Sequence, residues 1–110
     1  MKLKHLAPGA IDWPHEPVSA QPGETGSAAQ RVRMLGDTQL RIVDYGAGYV
    51  ADHWCGRGHI LYVVSGALAI EHRDGIRYQL AAGMSWHAAE GEGAPHRVVC
   101  ERGARVFIID

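Results

Sequence analysis

Short strand-like segments separated by turn signals recur along most of this chain, and this rhythm restricts its fold more than any other feature of the sequence. Apolar or alternating runs follow one another at intervals of about eight to twelve residues, as in all-β proteins. The predicted strands cover residues 31–35, 39–43, 48–54, 60–64, 67–72, 76–80, 84–88, 97–100 and 105–109. Asp74-Gly75 is a typical hairpin turn, and no segment keeps a helical period over several turns. The pattern predicts an all-β sandwich or barrel.

The composition is that of one ordinary globular domain. The chain has 110 residues, of which 46% are apolar and 21% charged, and this size suits a single core. A net charge of -1 offers no electrostatic basis for binding nucleic acid or an acidic membrane. No apolar run approaches the ~18 residues of a membrane span. Residues 1–6 are too few and too charged for a secretory signal, so we expect a cytoplasmic protein whose thiols, Cys55 and Cys100, stay reduced.

Residues 1–30 differ from the rest because they hold four of the five prolines in the chain. Proline and glycine at this density predict an extended arm instead of a helix. Ile11 and Trp13 are apolar residues within this arm, so we expect them to pack against the barrel or against a second subunit. The predicted division is therefore an arm over residues 1–30 and a barrel over residues 31–110.

Two imidazoles and a thiol lie close together at His53, Cys55 and His59, and a further imidazole, His96, follows later in the chain. Histidine nitrogen and cysteine sulfur are the ligands that borderline and soft divalent metals prefer. In an extended strand His53 and Cys55 share a face, and the glycine-rich turn after them can bring His59 back beside His53. The set predicts a metal site, with zinc first and iron(II) or nickel as alternatives.

Each of these residues also has a simpler interpretation. Histidines at strand ends are commonly partnered by backbone groups or water, and a free cysteine is often just a small buried apolar residue. Cys55 is therefore either a direct metal ligand or a residue of the core.

The order and spacing of these residues resemble the two motifs of the cupin superfamily. The matching residues are Gly48, His53, Cys55, His59 and Gly66 for the first motif, and Gly83, Gly91 and His96 for the second. Cys55 stands where the first motif has its second histidine, and His59 where it has a glutamate. The order Asp52-His53-Trp54-Cys55 is also similar to a group of small cupins named for a DHCW motif.

The resemblance implies a fold, an assembly and a kind of chemistry. The fold is a single-domain jelly-roll barrel with a metal ion in its interior. Small cupins commonly form homodimers, and the extended arm suits contact with a partner. Cupins catalyse isomerase, lyase and dioxygenase reactions on small molecules, so an enzyme of this kind is one hypothesis. A non-catalytic module that binds or senses a small molecule or a metal is the alternative.

Four further residues are candidates for a substrate pocket. Tyr62 and Trp86 are aromatic residues, which either line pockets or fill cores. His87 lies near the second motif and suits proton transfer, unless it is a surface residue. Arg97 follows His96 directly, and its guanidinium suits a carboxylate-bearing substrate, unless it is simply solvated.

Overall fold

The protein is built almost entirely from β-strands. A computed structural model describes residues 5–91 and 93–110, and within these ranges it contains nine strands, no α-helix and one 3-10 turn at Trp13–His15. Residues 1–4, which belong to the predicted arm, and Glu92, in the loop before the second-motif histidine, lie outside the described residues. The strands are β1 Ser19–Pro22, β2 Ser27–Leu35, β3 Thr38–Tyr45, β4 Tyr49–Val50, β5 His59–His72, β6 Arg77–Ala81, β7 Ser85–Ala88, β8 His96–Cys100 and β9 Ala104–Ile109.

The long strand β5 joins the two halves of the sheet. Its first half pairs with β7 and β9, and its second half pairs with β6 and β8. The complete order is β1-β2-β3-β9-β5-β8-β4, with β6 and β7 added on β5, and every pairing is antiparallel. The sheet curls around its inner face into a jelly-roll barrel, which confirms the predicted fold class. The part of the chain that the structure describes contains no helix with the length and apolar character that a membrane crossing requires.

The two strands predicted over residues 60–64 and 67–72 are one continuous strand, β5, with an irregularity between them. The register shifts between Val63 and Ser65, and Gly66 has a φ of 75°. A side chain at Gly66 would meet the carbonyl oxygen of Gly103 at 2.3 Å, so only glycine fits this close approach of two strands. The glycine therefore bends a continuous strand and does not end it, so the break predicted between these two strands is wrong.

The strand predicted over residues 48–54 is mostly a bulged connection. Only Tyr49 and Val50 form β4, and the backbone N–H of Ala51 then donates to Val98 on β8. Cys55 next exchanges both backbone hydrogen bonds with His96, at 2.8 and 2.9 Å. The four residue steps from Ala51 to Cys55 thus lie opposite only two steps on β8, from Val98 to His96. The extra residues, 52–54, bulge out of the strand pairing.

The core lies on the inner face of the curled sheet. Its largest fully buried side chains are Leu61, Ile70, Ile108, Val63, Val106 and Cys100. On β3, Val43 points inward and is 2% exposed, so Arg41 and Tyr45 share its face by strand alternation. Leu40 and Ile42, the apolar residues of the same strand, consequently face outward.

The N-terminal arm packs on the outer face of this sheet. The indole of Trp13 meets the ring of Phe107 edge-on, with 6.3 Å between ring centroids, and Arg33 forms an ion pair with Glu16. The strand β1 extends the sheet beyond β2, and the division predicted at residue 30 falls within β2. Contact of the arm with a second subunit stays a prediction.

Candidate functional site

A cavity of about 130 Å³ inside the barrel collects most of the polar side chains that face inward. Leu61, Val98 and Ile108 supply apolar wall. The polar residues that line it are Arg41, Tyr45, Tyr49, His53, Cys55, His59, His96 and Arg97. All four ligands predicted from the sequence therefore border one cavity, although they do not all converge.

His59 and His96 form the centre of the site. Each is the first residue of its strand, β5 and β8, and their Nε2 atoms lie 3.2 Å apart. The two rings are nearly perpendicular, with 4.9 Å between centroids. The indole of Trp86 packs against both imidazoles, at 5.3 Å from His59 and 4.5 Å from His96. The predicted pocket residue Trp86 thus supports the histidine pair from the core side.

The surroundings of the two imidazoles favour their neutral forms. His96 is 4% exposed, and its burial, followed by the neighbouring His59 and His72, lowers its pKa to about 4. Burial also lowers the pKa of His59, with a further contribution from the positive charge of Arg41. A neutral imidazole has the nitrogen lone pair that a metal ion requires.

The spacing of the pair fits two ligands of one metal ion. Nitrogen ligands lie about 2.0–2.1 Å from zinc, which sets them about 2.9 Å apart at a right angle and about 3.4 Å apart at a tetrahedral angle. The observed 3.2 Å between the Nε2 atoms lies between these values. The Nδ1 atom of His59 is buried without a hydrogen-bond partner among the described residues.

Cys55 lies opposite His96 in the backbone pairing and borders the same cavity. Its Sγ accepts a hydrogen bond from the backbone N–H of Arg57 at 3.4 Å. His53 lies at the outer edge of the cavity, because its side chain is 75% exposed and its Nδ1 lies 2.6 Å from Asp52 Oδ1. In the ranges 5–91 and 93–110, no three His, Cys, Asp or Glu side chains are close enough together to hold a metal ion.

The remaining predicted pocket residues fall in different places. Arg97 lines the cavity, pairs with Glu24 and Glu71, and lies 4.4 Å from the ring centroid of Trp54. Tyr62 and His87 are exposed on the outer face of the sheet, since their inward neighbours on β5 and β7 are Leu61 and Trp86. Strand alternation therefore separates these two residues from the cavity.

Two polar residues of the cavity, Arg41 and Tyr45, were not predicted from the sequence. Arg41 reaches it from β3, and the rings of Tyr45 and Tyr49 lie 4.9 Å apart on the same wall. Burial raises the pKa of both phenols, so they are protonated hydrogen-bond donors. The alternation of β3 contains the relevant signal, because Arg41, Val43 and Tyr45 must share a face, but the apolar Leu40 and Ile42 favour the opposite assignment.

Several solved structures that are similar to this chain are named as cupins. The chain is similar to the polyketide cyclase RemF of Streptomyces resistomycificus, with a TM-score of 0.71, 15% identity, and 94% of this chain and 78% of that chain covered. A cupin-superfamily sugar phosphate isomerase of Silicibacter pomeroyi is similar with a TM-score of 0.70 and 15% identity, and the match covers 92% of this chain and 74% of that chain. The EutQ protein of Clostridium difficile is similar with a TM-score of 0.67 and 17% identity, and the match covers 91% of this chain and 83% of that chain.

The cupin fold predicted from the motif spacing is thereby confirmed. At these identities the similarity concerns the fold and not the reaction. No family model matches the chain, and no curated protein matches it. The smaller DHCW group stays a prediction.

Proposed function

We propose that this chain is a metal-binding cupin that acts on a small molecule in its barrel. The observation that carries the proposal is the pair of neutral imidazoles, His59 and His96, whose Nε2 atoms face each other across 3.2 Å in a cavity. Cys55 is the third ligand in this proposal, and His53 joins after its side chain turns away from Asp52. A thiolate with imidazoles favours zinc, with iron(II) or nickel as alternatives.

The bound metal would supply a Lewis acid that polarises an oxygen of the substrate. The protein itself would do the rest. Trp86 orients the two imidazoles, while Leu61, Val98 and Ile108 exclude water from one side of the cavity. Two solved relatives of the fold are named a polyketide cyclase and a sugar phosphate isomerase, and this supports a small-molecule substrate. The proposal includes a cytoplasmic location, where the two free cysteines stay reduced.

Metal analysis of untagged protein tests the site. We expect one metal per chain in the wild-type protein, and less than a tenth of that in His59→Ala and His96→Ala. The Cys55→Ser variant should lose the sulfur-to-metal absorption of the cobalt(II)-substituted protein, because a thiolate ligand produces that band. His87→Ala is the matched control, since His87 is exposed on the outer face. Wild-type protein that retains no zinc, iron(II) or nickel after refolding with each of them would contradict the proposal.

The homodimer is part of the same proposal, with a second copy of the chain on the outer face of the sheet. Ile60, Tyr62 and Val64 are 47%, 45% and 48% exposed there, and they continue the apolar surface that Trp13 covers at Phe107. An apolar patch matches itself in a two-fold dimer, where the same surface occurs on both subunits.

The oligomeric state of a charged variant tests this face. Tyr62→Arg should turn a dimer into a monomer in sedimentation measurements at tens of micromolar, because two arginines would then meet at the interface. Tyr78→Arg is the control, since Tyr78 is equally exposed, at 46%, but lies on β6 in the other half of the sheet. A monomeric wild-type protein, or a dimer that Tyr62→Arg leaves intact, would exclude this interface.

A further inference from the structure

An arginine on β3 points into the barrel although its two apolar neighbours point outward. Arg41 lines the cavity, and its side chain is 21% exposed. Burial of a guanidinium is unfavourable unless the group is paired. One Nη atom donates a hydrogen bond to Asp110 Oδ2 at 3.1 Å, while the Nε atom is buried without a partner among the described residues. The hydrogen bond to Asp110 uses one of the five N–H donors of the Arg41 guanidinium.

The cations of the cavity are two arginines, each of which is paired with a carboxylate that does not line the cavity. Arg41 and Arg97 both line it, and none of the described residues that line it is Asp or Glu. Arg97 is engaged by Glu24 and Glu71 outside the cavity, so Arg41 is the cation with unused donors facing inward. Arg41 lines the same cavity as His59 and His96.

Two phenols stand on the same wall as this guanidinium. Tyr45 lies four residues after Arg41 on the inward face of β3, and Tyr49 begins β4. Their rings are 4.9 Å apart, and both line the cavity. Protonated hydroxyls beside a guanidinium are donors for an anionic oxygen.

We propose that the substrate of this cavity carries a carboxylate, which Arg41 binds through its guanidinium while the hydroxyls of Tyr45 and Tyr49 donate to the same group. This inference rests on the proposed function, because the carboxylate occupies the cavity beside His59 and His96. The planar guanidinium fork matches the two coplanar oxygens of a carboxylate, and inorganic phosphate is the competing anion that the test includes.

Binding of benzoate and of its neutral isostere benzamide tests the inference. Titrations by calorimetry use the zinc-loaded protein and the metal-free protein in parallel, because a carboxylate can also bind the metal directly. In both forms we expect benzoate to bind at least tenfold more tightly than benzamide. Arg41→Gln should remove this preference in both forms while it leaves zinc stoichiometry and benzamide affinity unchanged. Arg41→Lys should recover part of the preference through its charge.

The controls separate a binding role from a structural one. Arg105→Gln removes an exposed arginine from the outer face and should leave benzoate affinity unchanged. If Arg41→Gln fails to fold because it loses its bond to Asp110, the double variant Tyr45→Phe and Tyr49→Phe removes only hydroxyls and should weaken benzoate several-fold. Equal affinities for benzoate and benzamide, or tighter binding of inorganic phosphate, would overturn the inference. Loss of zinc alone would instead contradict the proposed function.

Discussion

The inner and outer faces of β3 carry the opposite kinds of residues from those that its sequence suggests. On β3 the outer face carries Leu40 and Ile42, while the inner face carries Arg41 and Tyr45 around the core residue Val43. A sheet with one solvated face normally has its apolar residues inside and its polar residues outside. The comparison supports the two proposals made above, ligand binding inside the barrel and association on the outer face.

The inner face is divided along its length. Towards the middle of the strands, Val43, Val63 and Val106 are at most 2% exposed and pack as an ordinary core. Towards one end, the same face turns polar with Arg41, His59 and their neighbours at the cavity. The outer face also varies along its length, because the cross-strand row of Ile42, Phe107 and Tyr62 is apolar while Asp44 and Arg105 form an ion pair in the next row.

The largest expected effect compares adjacent residues of β5. Leu61 is fully buried and Ile60 is 47% exposed. Leu61→Ala should lower the free energy of unfolding by about 2–5 kcal/mol, since it leaves a cavity in a packed core. Ile60→Ala should change it by less than about 0.5 kcal/mol when measured in the Tyr62→Arg background. Denaturant titration measures both values.

The same pair also probes the proposed dimer. In the wild-type background, the cost of Ile60→Ala should grow with protein concentration if the second copy covers this residue. If Ile60→Ala and Leu61→Ala lower the free energy of unfolding equally in the Tyr62→Arg background, the two faces do not differ.

The next effect concerns acid stability of the metal-free protein. The pKa of His96 is about 4 when folded and 6.5 in its ordinary state, so the unfolded chain binds this proton first as pH falls. Stability is then fully present above pH 6.5, decreases between pH 6.5 and 4, and levels off below. At about 1.4 kcal/mol per pKa unit the loss is at most ~3 kcal/mol, and His59 adds to it in the same direction.

Unfolding titrations across this pH range measure the effect. His96→Gln should flatten the dependence, because the glutamine side chain does not titrate. His87→Gln should keep the wild-type profile, since this residue lies on the outer face. A profile of His96→Gln that matches the wild type would remove the buried imidazole as its cause.

A smaller effect is expected where the arm covers the outer face. Trp13→Ala should lower the free energy of unfolding by about 1–2 kcal/mol, because it removes apolar area and an edge-on aromatic contact with Phe107. Val18→Ala in the same arm should have almost no effect, since Val18 is 53% exposed. If both variants unfold like the wild type, the arm does not stabilise the barrel.

The smallest effect belongs to an ion pair on the outer face. Arg105 donates to Asp44 at 2.6 and 3.0 Å from the neighbouring strand. The side chain of Arg105 is 50% exposed, and such pairs contribute about 0–1 kcal/mol. A double-mutant cycle with Asp44→Asn and Arg105→Gln should give a coupling in this range that salt reduces. A coupling energy well above about 1 kcal/mol would show that water is excluded from this ion pair, as in the interior of an interface.

The sequence predicted the fold and the central part of the candidate site. Strand rhythm and the Asp74-Gly75 hairpin predicted an all-β fold, and the resemblance of the two motifs implied the cupin barrel, which is confirmed. His59 and His96 do meet, because each begins a strand beside the same cavity. The sequence also predicted that His53 would lie beside them, because alternate residues of a strand share a face. This rule does not apply to residues 52–54, which leave the strand pairing. Metal binding itself stays a prediction.

Local pattern and tertiary structure therefore decided different things about this protein. Turn chemistry and alternation act between near neighbours, so the sequence alone determined where most strands begin and end and which residues share a face. Which face turns inward depends on contacts between strands that are far apart in the chain. The paired strands β3 and β9, for example, are separated by more than half of the chain's length. Only that packing decided that Arg41, and not Leu40 or Ile42, would face the histidine pair.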